Sequence, residues 1–198
     1  MEEIIAQGDY ESLVQIIHDI PEHIYIKKNP LNYLCKLPSC ADQRIKDNRV
    51  FDCLIKCPGI NINTCDNDEH TPLMNICSHH RDFTNYDILE RLTSHPMINI
   101  DAQDNYGLTA LMLSIPYNNL NTISILLKNG AKTSIKNKIG HTAIDIARNN
   151  DQTDVLHLFR RIELAYALYP QRQKMGSAFS IFSNDIIRLM LGTLTGEK

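Results

Sequence analysis

Apolar residues fall along this chain in short clusters at helical spacing, separated by polar breaks of similar length. Between Glu2 and Ile20, the residues Ile4, Ile5, Leu13, Ile16, Ile17 and Ile20 surround a Gln7-Gly8-Asp9-Tyr10 break. Leu31, Leu34 and Cys35 follow, then Val50 to Lys56, and the charged stretch Pro38 to Asn48 between them is an inserted loop. Leu73 and Met74 precede Ile88 to Leu92, Leu111 precedes Leu126-Leu127, and Ala143 to Ala147 precedes Val155, Leu158 and Phe159. Recurrence near every third and fourth residue in segments this short predicts pairs of small helices rather than strands. Ile162, Leu164, Ala165 and Leu168 extend the last periodic run. Pro170 through Gly176 is a polar joint, and Ala178 to Leu194 is a separate apolar segment.

The breaks repeat as well. Thr71, Thr109 and Thr142 each stand just before an apolar run, and the second interval is shorter than the first. Threonine there caps the orphan N–H groups of a helix start, and Pro72 behind Thr71 occupies the first helical position, where its missing donor costs nothing. Gly130 sits after the second helix of its pair, where a left-handed turn sends the chain outward. Asp104, Gly107, Thr109, Ala110 and Leu111, then Leu126-Leu127 and Asn129-Gly130-Ala131, resemble the D-x-x-G-x-T-P-L-H and L-L-x-x-G-A segments of an ankyrin repeat. Gly140, Thr142 and Ala143 repeat the first of these one ankyrin period, about 33 residues, further on.

The resemblance implies an all-α solenoid of helix pairs joined by hairpin-like finger turns. The array is expected over residues 1–170, as a degenerate cap at 1–28 and repeats at about 29–65, 66–103, 104–136 and 137–168, followed by a helical tail over 171–198. One departure from the family pattern is that the usual histidine of T-P-L-H is replaced by Asn32, Met74, Met112 and Asp145. Carried over from the family, the partner-binding positions are Asn67, Asp68, His70 and His79; Asn105, Tyr106, Leu108 and Tyr117; and Lys138, Ile139 and His141. Tyrosine suits such a surface because it buries a large area with little rotamer loss.

The tail has its own pattern. Ser183 is a helix cap, Phe182 can staple onto Ile187, and Phe182, Ile186, Leu189 and Met190 form one apolar stripe. The segment resembles the opening of an F-box, which docks on a ubiquitin-ligase linker protein, although Ile181-Phe182 replaces the usual Leu-Pro start. The plain alternative is a helix that caps the last repeat. The expected function is therefore a non-enzymatic module that binds a protein partner through the concave face of the array, which in the family is lined by the finger tips and inner helix ends, with a ubiquitin-ligase substrate adaptor as the second reading.

Composition narrows the field further. A net charge of -3 divides unevenly, with 9 basic and 16 acidic residues in 1–103 against 11 and 7 in 104–198. Nucleic-acid binding calls for a basic stripe with stacking aromatics, which this mixture does not supply. Six cysteines without a secretory signal pattern, and no apolar run long enough to span a bilayer, point to buried thiols in the cytoplasm and no membrane association. Abundant Ile, Asn and Lys suit an AT-rich genome such as that of a large DNA virus or an intracellular bacterium, which would place the protein in a host cytoplasm. Cys53 and Cys57 with His70, His79 and His80 match no zinc-ligand spacing. Gly130 to Ser134 mimics the tail of a phosphate loop without its upstream glycine and strand. No hydrolase, metalloprotease or kinase signature is present, and no cofactor is expected.

Overall fold

Eight helices make up the framework of the computed structural model, which describes residues 30–36, 48–56, 60–78 and 85–168. They are α1 (Pro30–Lys36), α2 (Asn48–Lys56), α3 (Pro72–Cys77), α4 (Tyr86–Ser94), α5 (Ala110–Ser114), α6 (Leu120–Lys128), α7 (Ala143–Asn149) and α8 (Thr153–Leu168). No strand occurs among the described residues. α2 begins at Asn48 rather than Val50, because Asn48 and Arg49 carry no apolar signal although their backbone is already helical. The expected cap at 1–28, the insertion before residue 48 and the tail at 171–198 lie outside the described residues.

Caps decide where the helices start. Thr71, Thr109 and Thr142 each accept a bond at Oγ1 from the backbone N–H three residues on, at 3.2, 3.3 and 3.2 Å. Asn85 and Asn119 do the same for α4 and α6, each at 3.2 Å. Asp145 stands in the family's histidine position and completes a reciprocal cap, accepting from Thr142 N at 3.0 Å. The backbone and side-chain bonds from Thr142 hold its carboxyl below the usual carboxylate range.

None of these inner helices is long enough to persist alone. α3 has six residues and α5 has five, whereas isolated helices shorter than about 12–15 residues are marginal in water. Stacking supplies what length does not. The first helices of successive pairs pack in the order α1, α3, α5, α7, and the second helices in the order α2, α4, α6. Within each pair α1 packs on α2, α3 on α4 and α5 on α6. Leu31, Leu73 and Leu111 are buried on the inner row, and Leu54, Leu89 and Leu126 on the outer row. At roughly 1.5–3 kcal/mol per buried large apolar side chain, each layer holds its neighbours in place.

Two compact units divide the chain, Met1–Leu158 and Phe159–Lys198. The first contains all the stacked pairs above. Of the second, the described part is the end of α8, in which Phe159 is buried and Leu164 exposed.

Candidate functional site

Between the pairs the chain makes three short fingers, each built around one short polar side chain. Asp66 Oδ1 accepts from the N–H groups of Asp68 at 2.9 Å and His70 at 3.0 Å. Asp104 Oδ1 accepts from Tyr106 and Leu108, both at 2.8 Å. Asn137 Oδ1 accepts from Ile139 at 3.2 Å and His141 at 2.9 Å. The backbone closes the same loops, with Asp66 N donating to His70 O, Asp104 N to Leu108 O and Asn137 N to His141 O, at 3.0, 3.0 and 2.9 Å. A short polar side chain that bonds the backbone two and four residues ahead holds the turn rigid and pushes the intervening residues outward.

The fourth residue of each finger has positive φ: Glu69 at 58°, Gly107 at 74° and Gly140 at 86°. Glycine is at home there, and glutamate is strained. Gly107 has a second constraint, because a Cβ on it would lie 2.8 Å from Lys138 N. Nothing lies within 4 Å of the corresponding point on Gly140.

Adjacent fingers are tied together. His70 Nε2 faces Asp104 Oδ2 at 3.3 Å, and the Asp104 side chain is 1% exposed. That oxygen accepts no hydrogen bond of normal geometry among the described residues, and the His70 ring faces it at ion-pair distance. The Asn105 amide, in its hydrogen-bonded orientation, donates to the Glu69 carboxylate at 2.9 Å. Lys138 N donates to Tyr106 O at 3.0 Å, and Gln103 Nε2 bridges Gly107 O and Lys136 O at 2.6 and 3.0 Å.

Beneath the first finger lies a polar cluster that sequence reasoning did not reach. Asn75 Nδ2 donates to Asp66 Oδ2 at 3.0 Å and to Asn32 Oδ1 at 3.3 Å, Asn32 Nδ2 donates to Thr64 O at 2.7 Å, and Lys36 Nζ lies 2.8 Å from Asp66 Oδ2. Burial pushes the Asp66 carboxyl up, but bonds from Lys36, Asn75 and the backbone of His70 and Asp68 outweigh it and hold it at about 2. Asn32, one of the histidine replacements, thus joins two repeats through a partner on the next. The available signal was the recurrence of Asp66, Asp104 and Asn137, each a constant five positions ahead of a capping threonine. Asn75 had no counterpart to flag it.

What reaches solvent is the finger tips. Asn67, Asp68, Asn105, Tyr106, Lys138 and Ile139 are exposed, whereas Leu108 and His141 are half-buried at the finger bases. His70 is half-buried and committed to Asp104. Tyr117, 38% exposed, belongs to the α5–α6 turn beside Asn118, which has φ 49°. His79 and the tail residues Phe182, Ile186, Leu189 and Met190 lie outside the described residues. Cys35 and Cys77 are buried free thiols whose pKa burial raises, so neither is poised as a nucleophile. Among the described residues no group of three or more His, Cys, Asp or Glu could hold a metal ion, and no helix is long and apolar enough to cross a membrane.

Comparison with known proteins adds two findings. A family model described as "Ankyrin repeats (3 copies)" matches residues 37–137 and 82–164, together more than half of the chain. Alpha-latrotoxin-Lg1a of Latrodectus geometricus is 38% identical over 73 residues, which is 36% of this chain and 5% of the toxin. The chain thus matches only a small part of that relative's length.

Proposed function

The chain belongs to the ankyrin-repeat family, and from that premise we propose that it is a non-enzymatic module that binds one protein partner through its finger tips and the neighbouring helix ends. Asn67, Asp68, His70, Asn105, Tyr106, Leu108, Tyr117, Lys138, Ile139 and His141 form the proposed surface, with His79 as a further member. The observation that carries this reading is that Tyr106 and Ile139 are 71% and 74% exposed at equivalent positions of two fingers whose backbones are locked. A rigid turn that presents an aromatic and an aliphatic side chain to water has lowered the entropic cost of an encounter before it happens. Free, buried thiols at Cys35 and Cys77 support a reducing compartment, read here as the cytoplasm, or a host cytoplasm if the protein is a viral or bacterial effector.

Affinity purification with mass spectrometry identifies the partner, and Tyr106→Ala combined with Tyr117→Ala is expected to weaken its capture by about tenfold or more while stability stays within about 1 kcal/mol. Undiminished capture by the double variant would move the surface elsewhere.

The second reading, a substrate adaptor, rests on the apolar stripe Phe182, Ile186, Leu189 and Met190 and its likeness to an F-box opening. A chain ending at Arg172 that keeps its melting temperature and its partner but no longer captures the ubiquitin-ligase linker would favour the adaptor. A marked loss of stability would favour a capping helix.

A further inference from the structure

Building on that assignment of the fingers as the binding face, we propose that they receive an extended segment of the partner protein in which one apolar side chain lies between a basic residue and an acidic one. The three fingers share one hydrogen-bond pattern, so their residues can be matched position by position. Asp68, Tyr106 and Ile139 occupy the same place in each, two residues after Asp66, Asp104 and Asn137. Identical backbone geometry therefore displays an acid, an aromatic ring and an aliphatic chain in that order along the array.

Charge follows the same order. Asp68 is 74% exposed and Glu69 is exposed beside it. Lys36 pairs with both Asp66, at 2.8 Å, and Asp68, at 4.0 Å, but one cation against the carboxylates of Asp66, Asp68 and Glu69 leaves this finger net acidic. The middle finger shows no charge, because Asp104 is buried against His70. Lys136 and Lys138 are exposed on the last finger, with no ion pair among the described residues. The face thus runs from acidic, through apolar, to basic.

The Ile139 tip adjoins Gly140, which is exposed with nothing within 4 Å of its Cβ position, so a partner's main chain can approach closely there; Gly107, beside Tyr106, is instead covered by the next finger. Packed helical layers lie roughly 8–10 Å apart, which places Asp68 and Lys138 roughly 16–20 Å from each other. Five or six residues of extended chain, at about 3.3 Å each, cover that span. A partner with a cation opposite Asp68 and Glu69, an apolar side chain on Tyr106 and Ile139, and an anion opposite Lys136 and Lys138 matches every part of the gradient. Nucleic acid and an anionic membrane do not, because the acidic finger repels phosphate.

Peptide-phage panning on the full chain tests this. Enriched sequences are expected to hold a basic and an acidic residue about five or six positions apart with an apolar residue between them. Asp68→Asn with Glu69→Gln should abolish selection for the basic residue alone, and Lys136→Gln with Lys138→Gln should abolish selection for the acidic residue alone. Synthetic peptides from the wild-type selection should lose about tenfold in affinity for each neutralised variant, and these losses should shrink at high salt. These are exposed tip residues, and Gln at 69 keeps the acceptor for Asn105, so folding, checked by circular dichroism, should persist. Unchanged selection in the neutralised variants overturns the charge order. If enriched peptides bind equally well after Tyr106→Ala with Ile139→Ser, or if nothing enriches, the finger face itself is overturned as the binding site.

Discussion

Glu69, Gly107 and Gly140 sit at the same point of three similar turns, and the difference among them is what a side chain meets there. Glu69 accepts the strain of φ 58° and uses its carboxylate to receive the Asn105 amide. Gly140 has open space around it, so Gly140→Ala should cost only the left-handed strain, about 1–2 kcal/mol. Gly107→Ala adds a clash with Lys138 N and should cost roughly 1–3 kcal/mol more. Equal midpoints for the two variants in urea denaturation would show that the fingers are not in contact. Asp66 allows a second test at this scale. Its folded-state carboxyl, at about 2, titrates below an unfolded one near about 3.9. The ionised form therefore favours the folded state, fully above about pH 4, and this contribution is lost as the pH falls towards 2. Asp66→Asn can keep the turn, as Asn137 does in the last finger, but its amide would face Lys36 and Asn75 as a donor. The variant should be roughly 1–3 kcal/mol less stable at pH 7 and should lose less on acidification to about pH 2.5. Parallel pH profiles for both proteins would remove Asp66 from the acid response. Threonine caps were legible in the sequence because a cap is a local rule. Asn75 was not, because its partners Asp66 and Asn32 lie on other elements and only the stacked structure joins them.

At the level of the helix, length and stacking trade places. The five residues of α5 have Ala110, Leu111, Met112 and Ser114 buried, so the element exists because its neighbours cover it. Leu111→Ala should lower stability by roughly 2–5 kcal/mol, and Leu126→Ala on the outer row by a similar amount, read from thermal or denaturant melts. Losses within the range of a surface substitution would place both residues outside the core. The apolar pattern announced these helices well, since periodicity survives even in short runs. It marked the first turns of α2 and α4 poorly. α2 opens on Asn48-Arg49 and α4 on Tyr86-Asp87 behind the cap Asn85, ahead of their apolar runs, so these starts show only in the folded backbone.

At the largest scale, that of the stacked pairs in the first unit, there is no long-range closure, and each layer is stabilised only by the layers it touches. The equal offset that carries Asp104, Gly107 and Thr109 onto Asn137, Gly140 and Thr142 made that architecture legible. The fingers' contribution to it was not, because a bond such as that from Lys138 N to Tyr106 O is made by backbone atoms and leaves no residue signature. The same bond has a measurable consequence. An amide on a finger-tip residue with an exposed side chain is ordinarily expected to trade its proton for deuterium within the time of loop fluctuations. The Lys138 amide should instead exchange only when two neighbouring layers part, so its protection factor should match those of α5 and α7 rather than those of the turns around it. Fast exchange at this one site, with the helices still protected, would mean that the fingers open independently of the stack beneath them.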